Sequence, residues 1–190
     1  MSRVYLIGDT HFGHKNICKF RTMFESPEGH DNVLFERIMS TLTKRDTLWL
    51  MGDICFSEER LYMLEAISRE IGNVHWILGN HDTQNTERQR ILAKSVDLGI
   101  KLHSLVSYKG TWLSHHPIHP KELRGKHNLH GHVHTATIRE HGYFNCSAEN
   151  LGFYPREFKD IKAACESDRW DLWDWFGVTK VDTNSISSVN

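Results

Sequence analysis

Short apolar runs recur through the first half of the chain, each closed by glycine and a polar group. Val4–Ile7 runs into Gly8-Asp9, Thr47–Met51 into Gly52-Asp53, and Val74–Leu78 into Gly79-Asn80-His81-Asp82. Brief, continuous apolar runs bounded by turn residues read as strands covered on both faces. Between them the apolar spacing becomes helical. Leu34, Ile38 and Leu42 fall on one face behind a capping Asp31. Ser57 opens a second helix carrying Leu61, Leu64, Ile67 and Ile71 until Gly72 stops it, and a third is expected from about Gln84 to Ala93. Strand, polar turn and helix thus alternate three times, an α/β pattern that gathers functional groups at the carboxyl ends of strands.

The second half changes character. Residues 102–108, 111–114, 128–129 and 143–146 read as short, tightly connected strands. Only Pro155–Glu166 reads as helical, with Pro155 in the first turn and Phe158, Ile161 and Cys165 on one face. Trp170, Trp173, Trp175 and Phe176 are expected to close the edge of the core. Residues 1–182 read as one domain, and the polar 183–190 stretch as a frayed, disordered tail.

Composition narrows the class. The chain has 190 residues, 39% of them hydrophobic, and 23 Lys and Arg against 24 Asp and Glu. That fits a folded domain, and the balanced charge argues against broad binding to nucleic acid or anionic membrane. No apolar stretch approaches the roughly 20 residues of a membrane span, and the N-terminal run is too short for a secretory signal. Cys18, Cys55, Cys146 and Cys165 form no C-x-x-C pair, which suits reduced thiols and a cytoplasmic location. The unusual count is 14 histidines against 13 glycines.

Many of those histidines sit in five patches: Asp9-Thr10-His11, Gly52-Asp53, Gly79-Asn80-His81-Asp82, His115-His116-Pro117 and Gly131-His132-Val133-His134. In extended segments, residues two apart point the same way, so Asp9/His11 and His132/His134 are each expected to present two donors to one cavity. Carboxylate, imidazole and amide donors without thiolate suit divalent ions of the Mn, Fe, Zn or Ni type.

Taken in order, D-x-H, G-D, G-N-H-D, H-x-P and G-H-x-H resemble the calcineurin-like metallophosphoesterase family over roughly residues 3–165. The resemblance implies an α/β fold with a two-sheet β-sandwich flanked by helices. It also implies a binuclear hydrolase of phosphate esters, mono- or diester, that uses a metal-activated hydroxide on a small, possibly nucleotide, substrate. Asp9, His11 and His134 would hold the first ion, and Asn80, His115 and His132 the second, with Asp53 bridging. His81 would face the substrate phosphate, with Asp82 orienting it. The protein Ser/Thr phosphatase branch has a further Asp where this chain carries Phe56, so the match is closer to small bacterial and phage-type phosphoesterases.

His14, Arg21 and Arg124 are candidate substrate contacts, with Lys121 and Lys126 beside them in sequence, and the loops 21–31 and 117–126 would set substrate choice. Two other readings are a nuclease acting on nucleic acid, which the charge balance does not favour, and a non-catalytic scaffold of the same fold. No membrane partner is expected.

Overall fold

The computed structural model describes residues 2–169. Two sheets share one continuous core. The first has strand order β4-β3-β2-β1-β9, where β1 is Val4–Ile7, β2 Thr47–Leu50, β3 Asn73–Ile77, β4 Lys101–His103 and β9 Arg156–Glu157. Strands β1 to β4 are parallel, and β9 runs antiparallel to β1. Leu48, Trp49 and Leu50 of the central β2 are all buried, as expected where both faces are covered. The second sheet has order β5-β6-β7-β8, formed by Leu105–Tyr108, Thr111–Ser114, His127–His130 and Tyr143–Asn145.

Helices α1 (Pro27–Thr41), α2 (Leu61–Glu70), α3 (Thr86–Asp97) and α4 (Phe158–Glu166) flank the sheets. Leu34 and Ile38 of α1, Met63, Leu64 and Ile67 of α2, and Phe158, Ile161 and Ala164 of α4 are buried in the shared core. Leu113, Leu129 and Phe144 bring the second sheet into that core. Gly8, just beyond β1, bridges to Ser147, just beyond β8, which ties the two sheets together beside the strand ends. Among the described residues no helix is long and apolar enough to cross a membrane.

The architecture expected from the alternating runs is present, with three local differences. Ser26, not Asp31, caps α1: its hydroxyl accepts from the Gly29 N–H, and Pro27 occupies the first turn. Asp31 lies inside the helix, fully buried. The single strand expected over 102–108 breaks at Ser104, and its two halves belong to different sheets. Pro155 precedes α4 rather than entering it, because Arg156 and Glu157 pair with Leu6 and Tyr5 before the helix begins. The tryptophan-rich segment and the polar tail lie outside the described residues.

Candidate metal centre at the strand ends

All five patches follow the carboxyl ends of strands: β1 leads to Asp9 and His11, β2 to Asp53, β3 to Asn80 and His81, β6 to His115, and β7 to His132 and His134. The two sheets thereby point their catalytic-type residues at one place. The local backbone is not the extended one expected. Asp9, His11, Asp53, His132 and His134 have φ of 53°, 53°, 54°, 73° and 51°, all left-handed. Non-glycine residues adopt that region at a cost and cluster at functional sites when they do. Asp9/His11 and His132/His134 therefore converge because alternate residues are coiled left-handed, not because a strand alternates.

The side chains form three adjoining groups, one of them His115, His116 and His132. The ligand atoms of Asp9, His11 and His134 lie within 4.8 Å of one another, as do those of Asp9, Asp53 and His115. His11 Nε2 and His134 Nε2 are each 3.9 Å from Asp9 Oδ1. His115 Nε2 is 3.4 Å from Asp53 Oδ2 and 3.1 Å from Asn80 Oδ1. The His132 and His115 ring centroids are 5.1 Å apart. Two glycines make room, since a Cβ on Gly79 would strike the Asp53 carboxylate and one on Gly131 the Asp9 carboxylate.

Several features suit this cluster to a cation. His11 is buried, and neither ring nitrogen has a hydrogen-bond partner. Burial, followed by the nearby Arg21 charge, pushes its pKa well below the ordinary value, so the ring is a neutral donor. Burial raises Asp9 to about 6, leaving a fully enclosed carboxylate that only a positive neighbour keeps ionised easily. Burial works against protonation of His115, but hydrogen bonding to Asp53 and the Asp9 charge outweigh it and lift the ring to about 9. Unpartnered buried nitrogens are costly unless a ligand completes them, so this donor set fits a divalent metal.

The surrounding groups fix particular tautomers. The Nδ1–H of His115 donates to the Met51 carbonyl at 2.9 Å, and that of His134 to Glu149 Oε1 at 3.0 Å. In both rings Nε2 is left facing the carboxylates. Glu149 is held in turn by Arg21 Nε at 2.9 Å, and these two partners keep its carboxyl near 2 despite burial.

Arg21 is therefore turned into the interior of the protein. It is 1% exposed, and it also donates to the Asp9 carbonyl and to His30 Nε2, the latter at 2.7 Å. Arg124 stands on the exposed loop after β6, paired with Glu122 at 2.9 Å. His14 does lie beside the site, 5.7 Å from His11 between ring centroids, with its buried Nδ1 unpartnered.

Asp82 does not orient His81. Its two oxygens accept from the Asp53, Ile54 and Gly79 backbone N–H groups and from the buried Trp76 indole, at 2.7 to 3.0 Å. Its work is to hold the Asp53 loop against β3. The partner of His81 is Gln84, whose Oε1 accepts from Nδ1–H at 2.9 Å. Phe56 stacks on His11 at 4.5 Å, and the Arg88 guanidinium sits 3.8 Å from the centre of the same ring. Residues not singled out from the sequence are thus Glu149 and Gln84, while the exposed His116, which belongs to one of the five patches, has its ring 4.1 Å from that of His132. Gln84 is marked by proximity to a motif, whereas nothing in the sequence marks Glu149.

Comparison with known proteins agrees with this geometry. Over 84 residues the chain is 36% identical to the Gene 66 protein of Mycobacterium phage L5, which covers 43% of this chain and 41% of that protein. Over 87 residues it is 31% identical to the uncharacterized protein MJ1445 of Methanocaldococcus jannaschii, covering 43% and 48% respectively. The matched stretch is thus less than half of either relative. In fold it is similar to AQ665 of Aquifex aeolicus, a protein of unknown function, with a TM-score of 0.64 and 22% identity over 86% of this chain and 99% of that one. The calcineurin-like phosphoesterase family model matches residues 2–173. With left-handed backbone gathering Asp and His donors at the strand ends, and with that match over nearly its whole length, the chain belongs to the calcineurin-like phosphoesterase family.

Proposed function

We propose that the protein hydrolyses phosphate esters with two divalent cations. Asp9, His11 and His134 would hold one, Asn80, His115 and His132 the other, and Asp53 would lie between them. When bound, such cations polarise phosphoryl oxygens and bring the pKa of water towards neutrality. The observation that carries this reading is His11, a buried neutral imidazole with both nitrogens unpartnered beside the enclosed Asp9 carboxylate.

The chain's own residues supply the rest. Asp9 and Asp53 contribute only two negative charges, so two divalent ions leave a net positive site that attracts a phosphoryl group. His81 stands at the rim, with Nε2 4.0 Å from Asp53 Oδ2 and its side chain 38% exposed. It is placed to hand a proton to the departing ester oxygen. The open rim suits a small phosphorylated substrate.

The test is an activity matrix of Mn, Fe, Zn and Ni against aryl and alkyl phosphate mono- and diesters, including nucleoside 2′,3′-cyclic phosphates. Turnover is expected only with added metal. Fully metallated protein that is inert across the matrix would overturn the reading and favour the scaffold. Hydrolysis of polynucleotide alone would favour the nuclease.

A further inference from the structure

The turn after β3 places two neighbours near His81, Asp82 and Gln84, and only one holds its ring. Asp82 spends its carboxylate on three backbone N–H groups and the Trp76 indole. Gln84 closes back on His81 twice. Its backbone N–H donates to the His81 carbonyl at 3.3 Å, and its Oε1 accepts from the His81 Nδ1–H at 2.9 Å. The following residue, Asn85, caps α3 by accepting from the Arg88 N–H at 3.0 Å, so the backbone carrying Gln84 is anchored at the head of a helix. His81 is also pinned by its own N–H, which donates to Asp53 Oδ1 at 2.9 Å.

We propose that Gln84 is the positioning residue for His81, selecting the Nδ1–H tautomer and aiming Nε2 at the leaving-group oxygen. This rests on the hydrolytic reading above. In the step, protonated His81 gives its Nε2 proton to the ester oxygen as the P–O bond breaks and its electron pair stays on that oxygen. Water forms the new P–O bond and loses a proton to solvent, and solvent later restores the proton of His81. Throughout, Nδ1–H stays on Gln84. An amide acceptor does this without adding another negative charge beside Asp53, whereas a carboxylate would draw His81 into an ion pair with itself. Substrates that depend on Gln84 are therefore those whose leaving oxygen needs a proton, namely alkyl esters, including sugar hydroxyls. A nitrophenyl oxygen departs without one.

The test compares wild type, Gln84→Leu and Gln84→Glu on a 4-nitrophenyl ester and a matched alkyl ester, with saturating metal. Gln84 is exposed, so these changes spare the core. Since a general acid supplies about 10²–10⁴-fold in rate, Gln84→Leu should lower alkyl kcat by roughly 10- to 100-fold and aryl kcat by less than about threefold. Gln84→Glu, which keeps an acceptor oxygen but adds a negative charge, should keep the Nδ1–H form and lower alkyl kcat by less than Gln84→Leu does. Nitrogen-15 NMR of zinc-loaded protein reads the tautomer directly, and Gln84→Leu should convert a single Nδ1–H form of His81 into a mixture. An unchanged tautomer, or an unchanged alkyl-to-aryl ratio, overturns the proposal and leaves the hydrolase intact. Inert wild-type protein on both esters would remove the hydrolytic reading and this proposal with it.

Discussion

Two histidines of the site, His134 and His81, are supported in opposite ways. His134 rests on a buried polar chain: Glu149 holds its Nδ1–H, Arg21 holds Glu149, His30 accepts from Arg21, and Asp31 accepts from His30 while also binding Arg60 and the Gly13 N–H. His81 rests on one exposed amide of its own turn. Buried, satisfied networks resist movement, while a ring held by one exposed hydrogen bond stays open to solvent. Under the proposed function, the His134 side would fix a ligand and the His81 side would act on something that arrives from solvent.

The largest effect separates scaffold from chemistry. Asp82→Ala would strand four donors in the interior, at about 1–3 kcal/mol for each group left unpaired. Chemical denaturation should show a collapse in stability or no folded protein. A stable variant with only kcat reduced would restore a catalytic role to Asp82.

Next comes the His134 chain. Glu149→Gln keeps the shape but weakens the acceptor, and groups behind a metal ligand typically govern affinity by about 10–100-fold. Calorimetric titration with Mn should show that loss at one of the two sites, while Gln84→Leu leaves both affinities unchanged. Equal effects from the two variants would erase the difference between the supports.

A smaller effect lies away from the site. His75 stacks on Trp49 at 4.1 Å, and its Nδ1 lies 2.9 Å from His103 Nε2. Burial first, then the His103 and Lys101 charges, lower His75 to about 4. Unfolded histidine titrates near 6.5, so below that pH the unfolded chain binds more protons than the folded one. This contribution to stability is complete above about pH 6.5 and drains away towards about pH 4. The urea midpoint should fall less between pH 7 and pH 5 in His75→Phe than in wild type. The smallest expected effect is Arg124→Ala, which should leave kcat/KM within about twofold because the side chain is exposed and engages only a surface pair.

Much of this molecule is legible in its sequence, for identifiable reasons. Val4–Ile7 and Thr111–Ser114 match their strands residue for residue, because apolar runs ended by turn residues leave little choice of register. The five patches are legible because donors cluster where strands end. The break at Ser104 is not, since which sheet each half joins is decided by partners far along the chain. Glu149 is hidden for the same reason: it meets Arg21 across 128 residues of sequence. The buried partners that engage Arg21 and Asp82 are likewise not legible, since Glu149, Asp53 and Trp76 meet them only through the fold. The left-handed backbone at Asp9 and His11 is also invisible, as neither residue type demands it.

Counting ions bound against turnover of an aryl phosphate ester, as Mn is added to chelator-stripped protein, tests the central claim most directly. The account predicts no turnover in chelator, saturation at about two ions per chain, and loss of both ions and activity in Asp53→Ala. Undiminished turnover in chelator, or two bound ions with no ester of the matrix hydrolysed, would contradict it.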